Sequence, residues 1–245
     1  MLGADGQPER AMTGPPSSRG NRPAGRELAW DRYWSEAYRP GTEHPGAFTR
    51  WAAGFLRASG ARSVLDLGCG PGRDMSFLLE QGFAVTGVDG SRVATHLAER
   101  AVARLPEPAA TRGRVVHADV LEYVTRLDGD SVDAVHAAAT YQGFSDRELR
   151  DLFDGIYRIL RARGLHLWLV RGTHHAGRAT PGSVPPNFPA LGFTVPLRFF
   201  ELEQIRRLGG HRFELLDLFE TPDFHSFYVA ERKRRSGAPP LRPSR

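Results

Sequence analysis

The chain has 245 residues, 40% of them hydrophobic, which suits a single α/β domain with a sizeable core. No apolar run reaches the roughly 18 residues of a membrane-spanning helix, and the N-terminal stretch has no apolar leader core, so a cytoplasmic protein without a membrane partner is expected. The net charge of +5 sits in one place: residues 232–245 hold six basic and no acidic side chains, and subtracting them leaves −1 for the rest, so nucleic acid is not an expected partner.

Residues 1–26 and 234–245 are rich in Gly, Pro, Ser and Arg and poor in large apolar residues, so both read as disordered tails around a domain spanning 27–233. "LAWDRYWSEAY" (28–38) is an aromatic lead-in, either a lid over a ligand or a packing helix. "RSVLDL" (62–67) is a buried-strand run, followed by a glycine turn and a helix, with Pro71 in its first turn and a stop at Gly82. "FAVTGVD" (83–89) is a second strand, and 92–105 is a helix with Val93, Leu97, Ala101 and Leu105 on one face. "RVVHADV" (114–120) and "SVDAVHAAA" (131–139) are strands three and four. Ser145 and Glu148 have the spacing of a capping box, opening a helix expected to stop near Gly164. "LHLWLVR" (165–171) is the fifth strand, then comes a Pro-rich loop over 172–198. A helix (200–210) and two strands (212–220 and 226–233) close the chain, the strands paired antiparallel at one edge. The alternation predicts a doubly wound, Rossmann-like, mainly parallel seven-stranded sheet with an antiparallel last strand and helices on both faces.

In such a sheet a ligand binds at the carboxyl ends of the strands. Gly68, Gly70 and Gly72 lie there, but the third glycine of a dinucleotide fingerprint is Arg73, and no G-K-[ST] marks a P-loop. Asp66 would face a pyrophosphate unfavourably and a cationic ligand favourably. The single cysteine, Cys69, rules out an intramolecular disulfide and a thiolate zinc cluster. No metal is expected.

"VLDLGCGPGRD" (64–74) resembles the first motif of the class I S-adenosylmethionine-dependent methyltransferases, and the similarity extends over most of 60–232. Some details also resemble the small bacterial tellurite-resistance and thiopurine methyltransferases. The resemblance implies a cofactor site at Asp66, Gly68, Cys69, Gly70, Gly72, Gly90, Ser91, Val120 and Ala137, with Asp89 for the ribose and Asp119 near the adenine amino group, unless Asp119 is a helix N-cap. "IYRILRARGLHLWLV" resembles the family's helix–turn–strand region, with Arg163 in place of the first glycine of the turn. The expected activity is in-line methyl transfer to a small-molecule acceptor. A non-catalytic binding module and a nucleic-acid or protein methyltransferase are the alternatives, the nucleic-acid form disfavoured by the missing N/D-P-P-aromatic motif after strand four. Acceptor-side candidates are Tyr33, Trp34, Tyr141 and Gln142; candidate catalytic groups are Tyr141, His174 and His175.

Overall fold

A computed structural model describes residues 25–38, 45–174, 197–222 and 225–234. Two helices lead in, α1 (Gly25–Ala37) and α2 (Ala47–Ser59). Then β1 (Ser63–Leu67), α3 (Arg73–Glu80), β2 (Ala84–Asp89), α4 (Arg92–Ala103), β3 (Gly113–His117), α5 (Val120–Arg126) and β4 (Val132–Ala138) alternate. They are followed by α6 (Asp146–Ile159), β5 (Leu160–Arg171), α7 (Leu202–Gly209), β6 (Phe213–Glu220) and β7 (Ser226–Lys233). The seven strands run in the order β3-β2-β1-β4-β5-β7-β6. Neighbours are parallel from β3 to β5, and β7 lies antiparallel between β5 and β6. Strand order reverses between β1 and β4, so the crevice above their carboxyl ends is the topological switch point.

Each central strand is buried on both faces, and its alternate residues feed two cores. Leu65, Val135 and Trp168 pack with α6, where Leu149, Leu152, Phe153, Ile156 and Ile159 form one apolar stripe. Val64, Ala134 and Leu167 pack on the other face against Met75, Leu78 and Leu79 of α3 and Phe48, Ala52, Ala53 and Leu56 of α2. The Ser145–Glu148 capping box forms as expected, worth about 1 kcal/mol for its hydroxyl cap. Among the described residues no helix is long and apolar enough to cross a membrane.

Some boundaries differ from expectation. The N-terminal segment expected to end at residue 26 runs into α1, which begins at Gly25. Strand three ends at His117, because the Asp119 side chain accepts from the Glu122 N–H at 3.0 Å and starts α5 at Val120. Helix α6 stops at Ile159 rather than near Gly164, and β5 takes over at Leu160 with a register shift against β4. That shift is absorbed at Arg163, whose φ of 65° is the left-handed conformation a glycine would adopt freely. Finally, α2 had no sequence expectation at all.

Candidate active site

The carboxyl ends of β1 to β5 open into a cavity of about 780 Å³, closed from above by α1. This volume suits a nucleoside-sized ligand together with a small second molecule. The glycine turn after β1 forms its floor. Gly68 and Gly70 have φ of 69° and 55°, and a Cβ on Gly68 would stand 2.4 Å from the Thr140 hydroxyl. A Cβ on Gly70 would lie 3.1 Å from the Trp34 ring, so any side chain there would push against the roof. Gly72 serves packing instead: it is the N-cap of α3, and a Cβ would come within 2.9 Å of the Ala98 Cα on α4.

The acids that line the cavity are held differently. Asp89, ending β2, accepts from the Gly70 N–H at 2.9 Å with one oxygen and from the Ser91 N–H at 2.8 Å with the other. Burial raises its pKa, partly opposed by those two N–H groups. Each oxygen keeps a further lone pair for a ligand hydroxyl. Asp66 is 2% exposed; one oxygen meets His136 Nδ1 at 2.8 Å, while Oδ2 is buried with no partner. Behind it, His136 Nε2 meets the Thr49 hydroxyl of α2 at 3.2 Å. Burial pulls the His136 pKa down, but the charge and hydrogen bond of Asp66, with Asp74 beyond, outweigh it and leave the pKa above the ordinary histidine value.

The roof is aromatic. Trp30, Tyr33 and Trp34 of α1 all line the cavity, with Tyr33 and Trp34 rings 4.8 Å apart edge to face. Three contacts seat the helix. Asp31 Oδ1 accepts from the Ser91 hydroxyl at 2.6 Å and the Val93 N–H at 3.1 Å. Glu27 pairs with His117 at 3.3 Å, and Arg26 with Glu148 at 3.1 Å. The lead-in is therefore both a helix and a cover. On the far wall Ala139 sits at φ 59°, a strained conformation for a residue with a Cβ, where β4 ends in the cavity lining.

Of the residues expected from sequence, the cavity collects Asp66, Gly68, Cys69, Gly70, Asp89, Gly90, Asp119 and Val120, with Tyr33, Trp34 and Gln142. Others lie elsewhere. Ala137 is fully buried in the core, and Ala138, Ala139 and Thr140 line the cavity in its place. Ser91 is the N-cap of α4 and anchors α1 from behind the lining. Tyr141 is 0% exposed; its hydroxyl meets His166 Nε2 at 2.6 Å, turned into the core away from the cavity. Burial, then the Glu231 charge, pushes its pKa well above the ordinary tyrosine value, so the hydroxyl keeps its proton. His174 is an exposed side chain 3.9 Å from Glu220, outside the cavity. His175 and most of the Pro-rich loop lie outside the described residues. Burial, then the charges of Asp66 and Asp89, raises the Cys69 thiol well above its ordinary value, so it packs rather than reacts. Among the described residues no group of three potential ligands could hold a metal ion.

Sequence reasoning missed Thr140 and Arg171. Arg171 ends β5, lines the cavity and is partly buried, with its Nη1 lacking a hydrogen-bond partner. Its signal was available: a charge closing the apolar run "LHLWLV" at the carboxyl end of a parallel strand.

The carboxylates and the absence of a phosphate-type loop fit S-adenosylmethionine, whose ammonium would satisfy the orphaned Asp66 oxygen. Residues 64–164 match the methyltransferase domain family. Rat (Rattus norvegicus) glycine N-methyltransferase is 36% identical over 90 residues, 36% of this chain and 31% of that enzyme. The chain spans less than half the length of the curated relatives it matches. A structure solved for the conversion of a disulfide bond into a thioacetal group during echinomycin biosynthesis superposes with a TM-score of 0.64 at 20% identity, covering 85% of this chain and 93% of that one. The Burkholderia thailandensis 1,6-didemethyltoxoflavin-N1-methyltransferase superposes with a TM-score of 0.54 at 24% identity, covering 77% and 79%. Residues 64–164 thus carry a methyltransferase domain, set on a Rossmann-like, mainly parallel seven-stranded sheet.

Proposed function

We propose that the chain is an enzyme that transfers a methyl group from S-adenosylmethionine to a small-molecule acceptor. The observation that carries this reading is the Asp66 carboxylate, buried at the switch point with one oxygen unpartnered, in the lining of a cavity that holds further acids. The cofactor supplies an activated methyl group; the protein's work is to bind, align and exclude water. Asp89 would take the ribose hydroxyls and Asp119 the adenine edge. Gly68 and Gly70 let the backbone come close. The α1 aromatics would cover the reacting centre, and Gln142, a buried lining residue with its Oε1 unpartnered, would border the acceptor. Alignment of this kind can supply about 7–11 kcal/mol of the barrier reduction in favourable cases.

A screen of small amine, hydroxyl, thiol and carboxylate acceptors, read by S-adenosylhomocysteine release, tests the proposal. Turnover on at least one class is expected. Cofactor binding with no turnover on any acceptor would support the non-catalytic module instead. The nearly neutral body supports a small acceptor over nucleic acid.

A further inference from the structure

Three arginines line the cavity, and they are not equivalent. Arg26 is paired with Glu148 at 3.1 Å, and Arg73 with Asp74 at 2.8 Å. Arg171 pairs with no carboxylate among the described residues, and its Nη1 is shut off from solvent without a hydrogen-bond partner. Burial lowers its pKa, with only the nearby Tyr33 acting in the other direction. An unpaired, partly buried cation weakens a fold unless something else repays it. A ligand is the natural candidate, because Arg171 lines a cavity rather than lying within the packed core.

We propose, on the methyltransferase reading above, that Arg171 receives a carboxylate of the methyl acceptor, so that the substrate class of this site is a small monoanion with an apolar body. The layout of the sheet supports this. Asp66 and Asp89 lie at the ends of β1 and β2, and Asp119 just past β3, whereas Arg171 ends β5 beyond β4. The cavity is thus acidic on one side and cationic on the other. A cationic cofactor belongs over the acids, leaving the arginine to the second ligand. Among the described lining residues six carboxylates stand against one guanidinium without a carboxylate partner, which disfavours a phosphate dianion and suits a single negative charge. Tyr33, Trp34 and Phe144 provide apolar wall for the rest of the acceptor. Gln142 Oε1, also unpartnered, can accept from an N–H or O–H on the same molecule.

The test needs no turnover. The full-length protein is loaded with S-adenosylhomocysteine and titrated by calorimetry with matched pairs: acetate and acetamide, benzoate and benzamide, phenylacetate and phenylacetamide. The acids should bind about 10-fold or more tighter than their amides, and Arg171→Met should erase the difference. Cofactor-product affinity should stay within about 3-fold in that variant, and the melting temperature of the free protein should not fall, because an unsatisfied charge has been removed. Arg171→Lys should restore part of the acid preference. Should Arg171→Met fail to fold, Arg171→Lys and the wild-type acid–amide comparison still decide the matter. Equal behaviour of acids and amides, including no binding by either, overturns the proposal. So does a large loss of S-adenosylhomocysteine affinity in Arg171→Met, which would assign the guanidinium to the cofactor's own carboxylate. Wild-type protein that took up no S-adenosylhomocysteine would contradict the methyltransferase reading itself, and this inference with it.

Discussion

The two ends of the sheet use aspartate in opposite ways. At the end where the central parallel strands begin, Asp133 of β4 is saturated. It accepts from the Arg62 and Ser63 N–H groups at 2.9 Å and from the Ser63 hydroxyl at 3.0 Å, and pairs with Arg161 at 2.6 Å. Those partners outweigh its desolvation and lower its pKa from 3.8 to about 2. At the carboxyl end Asp66 holds one partner and keeps a buried oxygen empty-handed, and Asp89 is pushed upward by burial. Satisfied carboxylates serve stability, while under-satisfied ones in a cavity await a ligand. The comparison can be broken from either side.

The largest effect is expected at Asp89. Losing two charge-assisted hydrogen bonds to a ligand, at about 1.5–3 kcal/mol each, should weaken S-adenosylmethionine binding about 100-fold or more in Asp89→Ala. The same carboxylate also ties Gly70 to Ser91, so the melting temperature of the free protein should fall as well. Calorimetry and a thermal melt on one sample check both parts. Unchanged affinity would remove Asp89 from the site.

Asp133→Ala should do the reverse, costing about 2 kcal/mol of stability while leaving cofactor affinity intact. Its pH signature has a definite sign. A folded pKa below the unfolded value contributes stability above pH 4 or so, and this is lost as pH falls toward 2. Denaturant melts across that window should show a shallower acid loss in Asp133→Asn than in the wild type. An identical acid limb would mean the carboxylate is not held as described.

The smallest effect separates Tyr141 from the cavity. Tyr141→Phe removes the bond to His166 and should cost about 1 kcal/mol of stability. Turnover, measured well below the melt, should be unchanged; a large fall in kcat would return Tyr141 to the chemistry.

What sequence could reveal follows the same division. The glycine turn and the acid ending β2 were legible because each is local: apolar runs mark the strands, and the glycines adopt positive φ where the chain must turn tightly. Helix α2 was not, since its buried stripe of Phe48, Thr49, Ala52, Ala53 and Leu56 is mostly small, and Gly54 on the exposed side weakens its helix propensity. Tyr141 was misplaced because a short 3-10 turn over Tyr141–Gly143 decides which neighbour faces inward, and Gln142 is the one that meets the cavity. Arg171 escaped for a longer-range reason. Its placement depends on the β5 register, which is set by the shift at Arg163 and the pairing with β7.

The central claim is that the under-satisfied end of the sheet is a cofactor site. A calorimetric titration of the wild-type, Asp66→Asn and Asp133→Asn proteins with S-adenosylmethionine tests it most directly. One equivalent should bind to the wild type and to Asp133→Asn with similar affinity, and Asp66→Asn should bind about 10-fold or more weakly. Equal binding by all three, or no binding by the wild type, would contradict the account.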